Sequence, residues 1–128
     1  MDEDTSFQAA VEALAEKDAR YDTEAYYFLR EALEFTLRDL SDKAGKPVKR
    51  HVTGAELLDG FRRLALDEFG PLAFTVLESW GVNRTEDVGD MVFNLIDAGV
   101  FGKNDKDSRA DFAKVYDFKA EFLAPFAP

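Results

Sequence analysis

Apolar residues recur along most of the chain at helical spacing. Phe7, Ala10, Val11 and Leu14 fall at i, i+3, i+4 and i+7 and predict a first helix over residues 4–16. Asp4, Thr5 and Ser6 ahead of that stripe can each cap free amides at its start. The pattern breaks over Lys17, Asp18, Ala19 and Arg20. A second, longer helix is predicted from Asp22 or Thr23 to about Leu40. Its stripe is Tyr26, Leu29, Leu33, Thr36, Leu37 and Leu40, widened by Tyr27, Phe28 and Phe35. So wide an apolar face packs against more than one neighbour, and its aromatics read as core rather than as a ligand cage.

The stretch from Thr53 to Gly99 organises the rest. Thr53 and Glu56 have the spacing of a capping box, in which hydroxyl and carboxylate each take one of the other's backbone amides. Leu57, Leu58, Phe61, Leu64, Ala65 and Phe69 then give the core face of a third helix, which Gly70 ends. Pro71 suits the first turn of a short fourth helix carrying Leu72, Ala73, Val76, Leu77 and Trp80 to Gly81. Thr85 is the predicted cap of a fifth, with Glu86 and Asp87 well placed against its N-terminal dipole. Val88, Met91, Val92, Leu95 and Ile96 form its stripe and Gly99 closes it. Gly89, on or near the polar flank, weakens this helix by about 1 kcal/mol relative to alanine. Close approach by another backbone would account for it, and so equally would a neutral accident of sequence.

Beyond Gly99 the period changes. Val100-Phe101 and Val115–Phe118 predict two short paired strands, with one helical turn capped by Ser108 between them. Helix, strand, loop and returning strand is the layout of a winged helix. Phe118, Phe122, Leu123 and Phe126 are expected to pack on the body, since exposed together they would form an adhesive patch. The expected fold is therefore mainly α, about five helices with a small C-terminal β-hairpin, winged-helix-like. Residues 1–128 form one domain, with a basic loop at 41–52 and a hairpin wing at 100–118.

Charge and composition narrow the function. The net charge is −10, which opposes contact with phosphate backbones and anionic membranes, so neither nucleic acid nor membrane is an expected partner. No apolar run approaches the ~20 residues of a membrane span, and no secretory h-region follows the acidic N-terminus. The absence of cysteine excludes disulfides and thiolate metal sites and fits a cytoplasmic setting. Against this acidic background Lys43, Lys46, Lys49 and Arg50 stand beside a single acid, Asp42, in the 41–52 segment. They read as a solvated loop, as a contact for an anion or partner, or as a segment docked onto the acidic remainder.

Catalytic patterns are missing. With one histidine and no cysteine a zinc site of the usual kind is not expected. There is no nucleophile elbow, phosphate loop or dinucleotide fingerprint, and no cofactor is expected. The acidic run from Asn104 to Asp111 fails as a calcium loop. Counted from Asp105, alanine stands where the loop needs glycine and tyrosine where it needs glutamate. Four polar or amphipathic residues stand out as ligand-binding candidates: His51, Trp80, Asn94 and Asp117. Each also has a local structural reading: His51 on the loop, Trp80 in the core, Asn94 satisfied at the core edge, and Asp117 capping a turn.

The motifs His51-Val52-Thr53-Gly54-Ala55-Glu56-Leu57, Phe69-Gly70-Pro71, Trp80-Gly81, Thr85-Glu86-Asp87, Val92-Phe93-Asn94-Leu95 and Tyr116-Asp117-Phe118, with Arg20-Tyr21-Asp22 earlier, cover most of the chain. Together they resemble a family of conserved hypothetical bacterial proteins. The resemblance implies a single-domain bacterial protein and brings no activity, ligand or catalytic residue. Function is therefore read from the residues. The first reading is a non-catalytic protein-interaction or regulatory domain whose partner is another protein. The second is a small-molecule binder or enzyme with a polar pocket near His51, Trp80 and Asn94. A nucleic-acid-binding winged helix ranks below both, because the fifth helix would push Glu86, Asp87, Asp90 and Asp97 at phosphates.

Overall fold

A computed structural model describes residues 3–102 and 108–128. Its α-helices are α1 (Glu3–Lys17), α2 (Thr23–Ala44), α3 (Gly54–Phe69), α4 (Ala73–Ser79), α5 (Thr85–Asp97) and α6 (Phe118–Phe122), with 3-10 turns at Gly70–Leu72, Arg109–Phe112 and Ala124–Phe126. Among the described residues there is no strand. The mainly helical expectation holds. The β-hairpin and the winged-helix layout do not.

Local chemistry explains where each helix starts and stops. Asp22 caps α2 by accepting the Glu24 amide at 2.9 Å. Thr53 and Glu56 form the capping box of α3, with the Thr53 amide donating to Glu56 at 2.9 Å and the Glu56 amide to the Thr53 hydroxyl at 3.2 Å. Gly70, Gly81 and Gly99 take positive φ values of 51°, 86° and 80° at the helix ends where the sequence places them. Two boundaries shift. α2 runs four residues past Leu40 to Ala44, so the 41–52 segment begins as helix and turns only at Gly45, in the left-handed conformation at φ 70°. Lys43 pairs with Asp39 at 3.1 Å and Arg50 with Glu56 at 2.8 Å, so half of the basic cluster is docked onto neighbouring acids. Lys46 and Lys49 remain exposed. At α5 the cap position belongs to Arg84. The Thr85 hydroxyl is buried and donates instead to the Phe112 carbonyl at 2.6 Å.

The core lies where α2, α3, α4 and α5 meet, around Tyr26, Leu29, Leu58, Phe61, Leu77, Met91 and Leu95. Phe28 sits edge-on to Phe61 with ring centroids 5.1 Å apart. α2 and α3 approach closely because Gly60 has no side chain. A Cβ there would collide with the Thr36 hydroxyl, which is satisfied by the Ala32 carbonyl at 2.7 Å. In the C-terminal segment Phe118 and Phe122 are buried as expected, but Leu123 and Phe126 remain 41% and 43% exposed.

The predicted strands fail for identifiable reasons. The Val100 and Phe101 amides both turn back to the Leu95 carbonyl, at 3.1 and 3.2 Å, which folds this segment onto the end of α5. Lys114 adopts a positive φ of 51°, incompatible with a continuing strand. The Val115 amide goes to the Thr85 hydroxyl at 3.2 Å and the Tyr116 hydroxyl to the Leu58 carbonyl at 2.8 Å, leaving no strand pairing for Val115–Phe118. The helical turn between them exists, as the 3-10 turn Arg109–Phe112 with Ser108 and Asp111 in a capping box. The first half of the acidic run compared with a calcium loop, residues 104–107, lies outside the described residues.

Gly89 proves to be buried, facing the rest of the fold rather than the polar flank. A Cβ added to it would lie 2.7 Å from Phe112 Cβ and 2.8 Å from Cγ, so the close approach is by a side chain. The neighbouring Phe112 ring also lies against Gly54 of α3, where an added Cβ would come within 3.2 Å of Cζ. Gly89→Ala should therefore destabilise the protein by about 1–3 kcal/mol in urea denaturation, because overpacking outweighs the better helix propensity of alanine. Stabilisation by this substitution would show that Phe112 is not seated between α3 and α5.

The capping box gives a pH-linked expectation. Hydrogen bonds from Arg50 lower the Glu56 carboxyl from 4.5 in the unfolded chain to about 2. A depressed carboxyl contributes stability above its unfolded value and loses it as pH falls toward its folded value. Glu56→Gln should cost about 0.5–1 kcal/mol at pH 7. In thermal melts the gap between variant and wild type should narrow steadily from about pH 4.5 to 2. A gap independent of pH would mean that the Arg50–Glu56 charge pair contributes nothing.

Candidate functional site

A cleft of about 570 Å³ opens where α1, α2, α3, α5 and the chain following α5 converge. Phe7, Leu33, Leu37, Val92, Ile96 and Phe101 give it apolar walls, while Ser6, Arg30, Glu34, His51 and Thr53 supply its polar groups. The helical period of α2 sets Arg30, Leu33, Glu34 and Leu37 on one side, and that of α5 sets Val92 and Ile96 opposite. His51 reaches the cleft from the connection before α3, where its imidazole passes Gly102 closely enough that a Cβ there would lie 2.9 Å from Cε1. The Phe7 ring is held between Tyr27, edge-on at 5.5 Å, and Phe101, stacked at 6.3 Å, with the Arg30 guanidinium 4.4 Å from its centroid. A second groove of about 610 Å³ runs between the C-terminal half of α1 and the end of α5, where Ala10, Leu14 and Ala98 adjoin Asp18, Arg20 and Asn94.

The four residues singled out in the sequence are dispersed. His51 is exposed and lines the cleft. Asn94 lies on the second groove, its amide donating to Asp18 at 3.3 Å and to the Tyr26 hydroxyl at 3.2 Å. Trp80 borders neither space. It is half-buried, with its ring 5.7 Å from both Phe28 and Phe69. Asp117 is the N-cap of α6 and accepts the Ala120 amide at 3.0 Å. Neither space gathers His51, Trp80 and Asn94 together.

What sequence reasoning missed is a polar cluster centred on α5. The buried Tyr21 donates its hydroxyl to Asp87 at 2.8 Å and lies 3.2 Å from Asp90. The other Asp87 oxygen accepts the Asn83 amide at 2.9 Å, tying down the chain ahead of α5. Asp90 receives Arg109 at 2.7 Å and Arg20 at 3.2 Å. Arg20 also grips Asp18 at 2.8 Å, and its hydrogen bonds hold the Asp18 carboxyl down at about 2. Burial, then the bond to Asp87, pushes the Tyr21 hydroxyl far above its usual range, so it stays a neutral donor. One signal was available: Asp87, Asp90 and Asn94 stand at i, i+3 and i+7, a polar stripe alongside the apolar one. Every group in this cluster has a partner within it, so its chemistry is that of a structural clamp. Among the described residues no three His, Asp or Glu side chains are grouped to hold a metal ion.

The clamp is testable through its buried pair. Tyr21→Phe leaves the Asp87 carboxylate short of a donor and should cost about 1–2 kcal/mol. A double-mutant cycle of Tyr21→Phe with Asp87→Asn should return a coupling of about 1 kcal/mol or more in urea unfolding, and additive effects would deny the pair any role.

Compared with protein-family models, with curated proteins and with solved structures, the chain finds no match.

Proposed function

We propose that this chain is a non-catalytic protein-interaction domain whose docking site is the cleft between α1, α2, α3 and α5. The observation that carries the reading is the cleft's composition. Its apolar walls are open to solvent and rimmed by groups of both charges, Arg30 and Glu34, with His51 beside them. A space of about 570 Å³ falls within the usual range of binding pockets, about 300–1,000 Å³. Apolar walls reward burial of large side chains, and a polar rim orients the segment that carries them. Lys46 and Lys49 are exposed on the connection that bears His51. They favour a partner segment with an acidic residue near its apolar anchors. The family resemblance adds no activity to this reading.

A random peptide library displayed against the full chain tests it. Enriched sequences should combine large apolar residues with a nearby acid and should shift the amide resonances of Leu33, Val92 and Ile96. Ile96→Glu should weaken them at least tenfold, equivalent to about 1.4 kcal/mol. Enriched peptides that bind this variant as well as wild type, or a selection that enriches nothing, would overturn the assignment.

A further inference from the structure

We infer that this chain associates with itself head to tail: an apolar tip formed by Leu123 and Phe126 of one copy docks in the cleft of the next. This rests on the interaction-domain reading for the use of the cleft, and it names the occupant, a second copy of the same chain. Among the described residues the exposed large apolar side chains are Leu72, Val115, Leu123 and Phe126. The last two belong to a single turn, with Leu123 as the cap of the 3-10 turn Ala124–Phe126. Positions three apart eclipse in that geometry, so both side chains fall on the same side.

The tip is ordered before it meets a partner. The Leu123 amide donates to the Lys119 carbonyl at 3.1 Å, the Phe126 amide to the Leu123 carbonyl at 3.0 Å and the Ala127 amide to the Ala124 carbonyl at 3.2 Å. Pro125 restricts the backbone between the two anchors. Phe118 and Phe122 are buried and fix α6, and with it the tip, to the body. An anchor pair already held in place loses little entropy on docking. Its own molecule offers it no cover: among the described residues none after Phe112 lines the cleft, and α6 packs against α4.

Charge decides where a second copy approaches. At a net charge of −10, two copies repel one another over most of their surfaces. The connection beside the cleft is the exception, since Lys43, Lys46, Lys49 and Arg50 stand there against Asp42 alone, with Lys46 and Lys49 exposed. The tip carries acid toward it. Asp117 is exposed, and Glu121 lies 4.0 Å from Arg62 of its own molecule with its side chain 37% exposed. Acid beside the tip and lysine beside the cleft steer the two surfaces together, and Leu123 and Phe126 then meet the apolar walls of Leu33, Val92 and Ile96. Tip and cleft are different surfaces, so every bound copy still offers one of them. Association therefore runs on to rings or filaments instead of ending at a dimer. The contact is small, which makes it a weak one.

Sedimentation equilibrium of the full chain, from micromolar to millimolar concentration, tests this. The average mass of wild type should climb past that of a dimer, while Phe126→Asp and Ile96→Glu should each stay monomeric. An equal mixture of the two variants should form a species that stops at the dimer, because it pairs one intact tip with one intact cleft. A wild type that remains monomeric, or an Ile96→Glu chain that associates as wild type does, overturns the proposal. A peptide of residues 117–128 avoids reliance on the folding of Ile96→Glu. Titrated into the Phe126→Asp chain, whose cleft is intact, it should shift the amide resonances of Leu33, Val92 and Ile96. The same peptide carrying Phe126→Asp should bind about tenfold or more weakly, as loss of an aromatic anchor requires. If library-selected peptides move these resonances and the 117–128 peptide does not, self-docking falls and the interaction-domain reading stands. If neither moves them, both fall.

Discussion

The seating of Phe112 between α3 and α5 is the contact on which the rest of this structure depends. Its ring lies against Gly54 at the start of α3 and against Gly89 in the first half of α5, two positions where any side chain would crowd it. Its carbonyl takes the buried Thr85 hydroxyl, which also accepts the Val115 amide. One residue from the irregular C-terminal segment thus fixes the distance between two helices that are far apart in sequence. The ring is also a wall of the cleft. The cleft's width is therefore set by the same packing that holds α5 to α3, and changes at Phe112 or at either glycine alter docking geometry and stability together.

Electrostatics solves a second problem, that of folding a chain of net charge −10 without self-repulsion at the helix junctions. Acids are concentrated at the N-terminal half of α5, where the helix dipole favours them. The few cations are drawn to them: Arg20 and Arg109 on Asp90, with Tyr21 supplying a neutral donor to Asp87. Elsewhere Arg63 and Lys43 share Asp39, and hydrogen bonds from both keep that carboxyl ionised to about 2. Surface pairs of this kind add little stability each. The Tyr21–Asp87 bond is different, because both groups are buried and have little access to water.

The helical part of the fold was legible because its signals are local. The Thr53–Glu56 box, the Asp22 cap, the terminating glycines and the apolar stripes of α2, α3 and α5 each act within a turn or two of their own position. The C-terminal segment was misread because its conformation is dictated from a distance. Val115, Tyr116 and Phe118 are strand-forming residue types, but Thr85 and Leu58 claim polar groups of this segment, and Phe112 and Phe118 enter the core. The same limit governs the site. His51 was found as an exception in composition, while the Leu33, Val92 and Phe101 walls looked like ordinary core until the helices were placed. Trp80 stood out only because tryptophan is rare, and it is packing for Phe28 and Phe69. Tyr21 drew no notice alone, since its partner lies 66 positions away.

The contrast between α1 and α5 links the fold to binding. α5 is anchored on its apolar face by the core and on its polar flank by the clamp, so it forms a rigid wall. α1 meets that wall with two buried side chains and open space on either side of them. Val92 and Ile96 face the first cleft, beside Phe7, so that is where α5 offers apolar surface to a docking segment. An apolar wall on a helix held from both sides needs no reorganisation before a segment docks on it, which spares the ordering cost that a mobile surface would add to binding.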